Sequence, residues 1–133
     1  MGKKIIISIS VLITLSIFFY ILSINLSPEK VVLKVINKIE AGNQLKEQQK
    51  VTKEISNVLN YFKSNKLPSP HIFVHKAESD NVTTVIGVFT SEKYNPDGNV
   101  NSVYTALVTF YLKKKKFIWE ITDVKVNEYK VQH

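Results

Sequence analysis

The chain has no cysteine and no arginine. Without cysteine there is no disulfide framework, no thiolate metal site, no cysteine nucleophile and no acylated lipoprotein cysteine, so packing alone must hold the fold. Without arginine all 18 basic residues are lysine, and the chain lacks the planar fork that reads guanine edges and grips phosphate. Nucleic acid is therefore not an expected partner, even with a formal net charge of +7. A glycine-rich phosphate loop, a G-x-S-x-G elbow and an H-E-x-x-H pair are also missing. Neither a cofactor nor a metal is expected. Lysine in place of arginine, with abundant Ile and Asn, fits AT-rich coding in a low-GC bacterium.

What is present first is a hydrophobic run. From Ile5 to Ile24 there is no charge, and only Ser8, Ser10, Thr14, Ser16, Tyr20 and Ser23 interrupt the aliphatic and phenylalanine side chains. As a helix the run reaches roughly 30 Å, the thickness of a bilayer's hydrocarbon core. It is longer than the apolar part of a cleavable signal peptide and lacks a small-residue cleavage site. A signal-anchor is expected: residues 1–26 as one transmembrane helix and residues 27–133 as a single folded domain. Lys3 and Lys4 flank the run, so the positive-inside rule predicts a single-pass protein of the cell membrane, N-terminus cytoplasmic and C-terminal domain extracytoplasmic.

The remainder reads as two helices and about four strands. Ser27 caps, Pro28 and Glu29 suit a first turn, and Val32, Val35, Ile36 and Ile39 recur at helical spacing before Gly42. A second helix from Gln44 to Lys63 places Val51, Ile55, Val58, Leu59 and Phe62 on one stripe. The prolines at 68 and 70 end helical structure. The period then becomes two: His71 to Ala77, Val82 to Thr90, Ser102 to Leu112 and Phe117 to Val126 are predicted strands. Gly87 marks a bulge or close backbone approach, and Asn95-Pro96-Asp97-Gly98 marks a turn.

A four-residue loop at Lys113 to Lys116 would set Leu112 opposite Phe117, Phe110 beside Trp119 and Val108 beside Ile121. Farther from the turn the pattern inverts, with Ala106 and Asp123 on the expected core face and Val103, Val124 and Val126 on the other. A bulge or sharp bend is the predicted remedy.

The expected class is therefore α+β, two helices packed on a curved antiparallel sheet. In its order of elements over residues 28 to 130, and in the texture of Val103 to Leu112 and Phe117 to Val126, the chain resembles the NTF2-like family, a cone-shaped fold. A cystatin-like arrangement is the alternative. The resemblance implies a cone whose polar lining includes Tyr104 and Asp123, which in NTF2-like enzymes of the ketosteroid isomerase type would perform proton transfer. With an N-terminal membrane helix in front, the layout also resembles VirB8-like and TcpC-like subunits of conjugative secretion machines.

Other residues carry weaker signals. His71 and His75 have the i, i+4 spacing of helical metal ligands, but in a strand they stand about 13 Å apart, too far to share an ion. Lys113, Lys114, Lys115 and Lys116 form a positive tip suited to an anionic surface or an acidic partner. The expected function is a non-enzymatic, membrane-anchored interaction or assembly protein of a bacterial cell-envelope complex, in the manner of a secretion or conjugation subunit. Its expected partners are the membrane and other envelope proteins, and homo-oligomerisation is compatible with the sequence. One alternative is a module that binds a small molecule or peptide, or confers immunity. Another is an enzyme using Asp123 in the cone.

Overall fold

The computed structural model describes residues 2–25, 27–77, 82–116 and 118–133, with the side chains of the first helix described from 6 to 22. Phe117, the expected partner of Leu112, lies outside the described residues, as do the side chains of Ile5, Ser23 and Ile24. Among the described residues, three helices, α1 (Gly2–Asn25), α2 (Pro28–Glu40) and α3 (Gln49–Ser64), precede four strands, β1 (His71–Ala77), β2 (Thr83–Tyr94), β3 (Val100–Lys115) and β4 (Ile118–Gln132). The strands pair antiparallel in the order β1-β2-β3-β4. The chain is thus α+β, with a meander sheet.

α1 is helical over the hydrophobic run, and its described side chains from Ile6 to Leu22 are exposed. The hydroxyls of Thr14 and Ser16 donate back to the carbonyls of Ser10 and Leu12, which masks their polarity within the helix. The transmembrane anchor, however, must be corrected: among the described residues no helix is long and apolar enough to cross a membrane. The signal-anchor, the single-pass layout in the cell membrane, the cytoplasmic N-terminus and the extracytoplasmic placement of residues 27–133 all rest on that anchor and are withdrawn with it.

α2 begins where its punctuation predicts. The Ser27 hydroxyl accepts from the Lys30 amide, Pro28 occupies the first turn where no amide partner is needed, and Gly42 adopts φ +86° just past the end. Val32, Ile36 and Ile39 are buried. α3 starts at Gln49 rather than Gln44, because Gln48 is drawn into a turn on the Leu45 carbonyl. Its stripe is as expected, with Val51, Ile55, Val58 and Phe62 buried and Leu59 partly so. Both helices lie on one face of the sheet, against Val85 and Phe89 of β2, Ala106, Val108, Phe110 and Leu112 of β3, and Ile121 and Val124 of β4. Gly87 sits within this face without a bulge. A Cβ there would come within 2.9 Å of the Phe110 ring, so the expected close approach is the reason for glycine.

The last hairpin is tighter than a four-residue loop. Lys115 stands opposite Ile118, and Lys116 has φ +59°, the left-handed conformation that short hairpin turns require. Leu112 consequently faces Ile121 and Phe110 faces Val124. The predicted irregularity is present twice, at Thr122 and at Asn127, each the extra residue of a register shift. Thr122 donates to the Tyr111 carbonyl and Asn127 to the Thr109 hydroxyl. The first bulge resolves the inverted pattern by returning Val124 to the buried face and leaving Asp123 half-exposed.

Candidate functional site

Asp123 and Tyr104 are not brought together. Asp123 stands opposite Tyr111 and Tyr104 opposite Val131, rungs that lie about 23 Å apart along β3. The Asp123 carboxylate takes the Lys50 ammonium at 2.7 Å and the Val124 amide at 2.9 Å. The hydrogen bond from Lys50, then that from Val124, holds its carboxyl below the usual carboxylate range, while Asp123 raises the Lys50 ammonium in return. A carboxylate held low at the surface is a poor proton acceptor. It serves here to tie the start of α3 to β4.

Tyr104 belongs to an aromatic cluster. Tyr61 of α3 lies 4.3 Å from Tyr129 and 6.3 Å from Tyr104, ring centre to ring centre, and 5.3 Å from Phe62 edge-on. Burial raises the phenols of Tyr61 and Tyr129, and the cluster packs between α3 and the far half of the last hairpin.

The four lysines are exposed at the end of the last hairpin. Lys113 to Lys115 lie within β3, so alternation sends their side chains to both faces. Lys113 stands opposite Glu120, and the Lys114 ammonium sits 5.5 Å from the centre of the Trp119 ring. Of the four, Lys114 has a local aromatic partner.

His71 and His75 are exposed on β1. Among the described residues no group of three or more His, Cys, Asp or Glu side chains could hold a metal ion. A cleft of about 290 Å³ between α2, α3 and the Leu67-Pro68-Ser69-Pro70 segment is lined by Ile39, Leu59 and Phe62, with Glu40 and Lys63 as its charged members. It sits at the lower limit for a ligand site.

Sequence reasoning missed the second face of the sheet. Registers place Phe73 of β1 opposite Val88 of β2, and Val88 opposite Leu107 of β3, so an apolar row crosses three strands on the side without helices. Ile86 lies beside it on β2, and Phe73 is 65% exposed. The signal was available: Ile-Phe-Val at 72–74 puts an aromatic on the face opposite two aliphatic core residues. No protein-family model, no curated protein and no solved structure matches this chain.

Proposed function

We propose that this chain is a non-enzymatic interaction or assembly module that engages another polypeptide through the uncovered face and margin of its sheet. The observation that carries this reading is the Phe73–Val88–Leu107 row, which runs out to an edge strand with its aromatic end open to solvent. An exposed aromatic at the end of an apolar row has the make-up of an interface anchor rather than of a reaction centre. The surface ion pair of Asp123, remote from Tyr104, supports the same reading over proton-transfer chemistry. Two helices on the sheet, rather than one, favour the NTF2-like arrangement over the cystatin-like one.

The test is a photoreactive amino acid placed in living cells at Phe73 and, as a control, at Lys34 on the exposed side of α2. A discrete protein adduct is expected from position 73 and none from position 34. Absence of any adduct from 73 overturns the reading. Asp123→Asn should leave the adduct pattern unchanged.

A further inference from the structure

The sheet has two outermost strands, and only one is closed. On β4 the Gln48 side-chain amide donates to the Ile121 carbonyl at 3.0 Å, α3 packs alongside, and two bulges break the ladder. These are recognised means of blunting an edge. On β1, no hydrogen bond among the described residues reaches the side of the strand away from β2; the one side-chain bond to it, from Thr84 to the Ala77 carbonyl, comes from β2 itself. β1 is regular over seven residues and pairs with β2 without a shift. Every second residue therefore presents an unpaired amide and carbonyl to solvent.

We propose that β1 pairs antiparallel with β1 of a second copy of this chain, with Val74 opposite Val74 on the two-fold axis. This rests on the interaction reading above and names its partner. The strand is self-complementary in that register. Phe73 faces the partner's His75, Ile72 faces Lys76 and His71 faces Ala77, so no charged residue meets its like. All seven residues pair and Pro70, which has no amide to give, stays outside. A register centred on Phe73 instead sets His71 against His75 and brings Pro70 against Lys76, spoiling the ladder. Centring on Val74 also keeps both copies' helices on one side of an eight-stranded sheet. On the bare side the two Phe73 rings become diagonal neighbours, within aromatic reach, and the two Phe73–Val88–Leu107 rows meet at the axis. An isologous contact of this kind closes on itself and leaves β4, already blunted, as the outer strand at both ends.

Because the chain has no cysteine, single cysteines report the contact directly. The full chain, dispersed in mild detergent because α1 exposes apolar side chains, would carry Val74→Cys or, on β4, Lys125→Cys, and be oxidised with copper phenanthroline. Directly opposite residues of antiparallel strands stand at about 4.5 to 5.5 Å between Cα atoms, inside the range of a disulfide. Val74→Cys is expected to yield a covalent dimer as the main product, with at least tenfold less from Lys125→Cys. Adding Phe73→Lys, at a position too exposed to unfold the domain, should slow the Val74→Cys dimer about tenfold. Equal cross-linking at both positions would indicate association through some other surface and overturn the proposal. If Val74→Cys stays monomeric while the photoreactive residue at 73 captures a different protein, self-pairing is refuted and the interaction reading stands. If neither reacts, both fall.

Discussion

β1 and β4 occupy equivalent places at the two margins of one sheet, and they are built differently. β4 is long, twice bulged, pinned to α3 through Gln48 and through the Lys50–Asp123 pair, and buried at Ile121 and Val124. β1 is short and regular, only partly buried at Ile72 and Val74, and open along its outer side among the described residues. The difference shows where the domain spends its internal contacts. α3 and its N-cap seal the β4 margin, whereas α2 covers only the inner face of β1 and leaves its outer main chain unpaired among the described residues and Phe73 exposed. The comparison can be broken most severely at the sealed margin. Ile121→Ala removes a side chain that is 3% exposed and should cost about 2 to 5 kcal/mol. Val74→Ala, in the half-buried β1, should cost clearly less. Paired denaturant melts at constant m-value measure both, and equal losses would mean that β1 is as firmly seated as β4.

The next largest effect lies under β1 itself. Gly87 stands opposite Val74 and has the Phe110 ring 2.9 Å from where a Cβ would be. Phe110 is fully buried and has no free direction in which to retreat. Gly87→Ala should therefore destabilise by about 1 to 3 kcal/mol through overpacking. Amide exchange should quicken first in β1 and β2 while β4 stays protected, since β4 holds its own contacts to α3. Uniform quickening across all four strands would show that the two margins are not independent.

How much of this was legible beforehand follows the range of the interactions. Ser27-Pro28, Gly42, the Asn95-Pro96-Asp97-Gly98 turn and the bounds of β1 are set by residues a few positions apart, and all stand in the structure as read. The turn at 95–98, for example, closes with the Gly98 amide on the Asn95 carbonyl. The register of β3 against β4 was misplaced because a short turn with Lys116 at positive φ is not signalled by any glycine, and because the bulges at Thr122 and Asn127 are stabilised by cross-strand bonds that no local pattern encodes. The need for a bulge was legible, since one face could not stay buried without it; its position was not. Asp123 looked inward only under the wrong register. Its true partner, Lys50, and the Gln48 bond to Ile121 each join segments more than seventy positions apart, which periodicity cannot connect.

That Gln48 bond gives a smaller prediction. Gln48→Ala removes one neutral side-chain donor from a strand carbonyl at a partly buried position and should cost about 0.5 to 1.5 kcal/mol. The loss would be read as a lower denaturation midpoint. Its more telling consequence is structural: one closure of the β4 margin would be lost while its bulges remain, and a cysteine at Lys125 should begin to cross-link if that bond is what keeps the edge closed. If it stays inert, the bulges alone suffice to blunt the strand.

The smallest expected effect is electrostatic. Asp123 has its carboxyl lowered in the folded chain, chiefly by the hydrogen bond from Lys50, so the pair contributes stability above the carboxyl's unfolded range and loses it as pH falls through the lowered folded value. The Lys50 ammonium, raised chiefly by Asp123, contributes in the opposite sense and loses its share only as alkaline pH passes its raised folded value. Both side chains are largely in water, 70% and 46% exposed, so salt screens the attraction and the change in melting temperature should be slight. The informative measurement is a carboxyl titration by NMR: Lys50→Met should return Asp123 toward the ordinary range, without reaching it, because the Val124 amide still donates. A titration unmoved by Lys50→Met would mean that the backbone bond alone sets the carboxyl. The tie between α3 and β4 would then rest on Gln48 and the buried side chains rather than on charge.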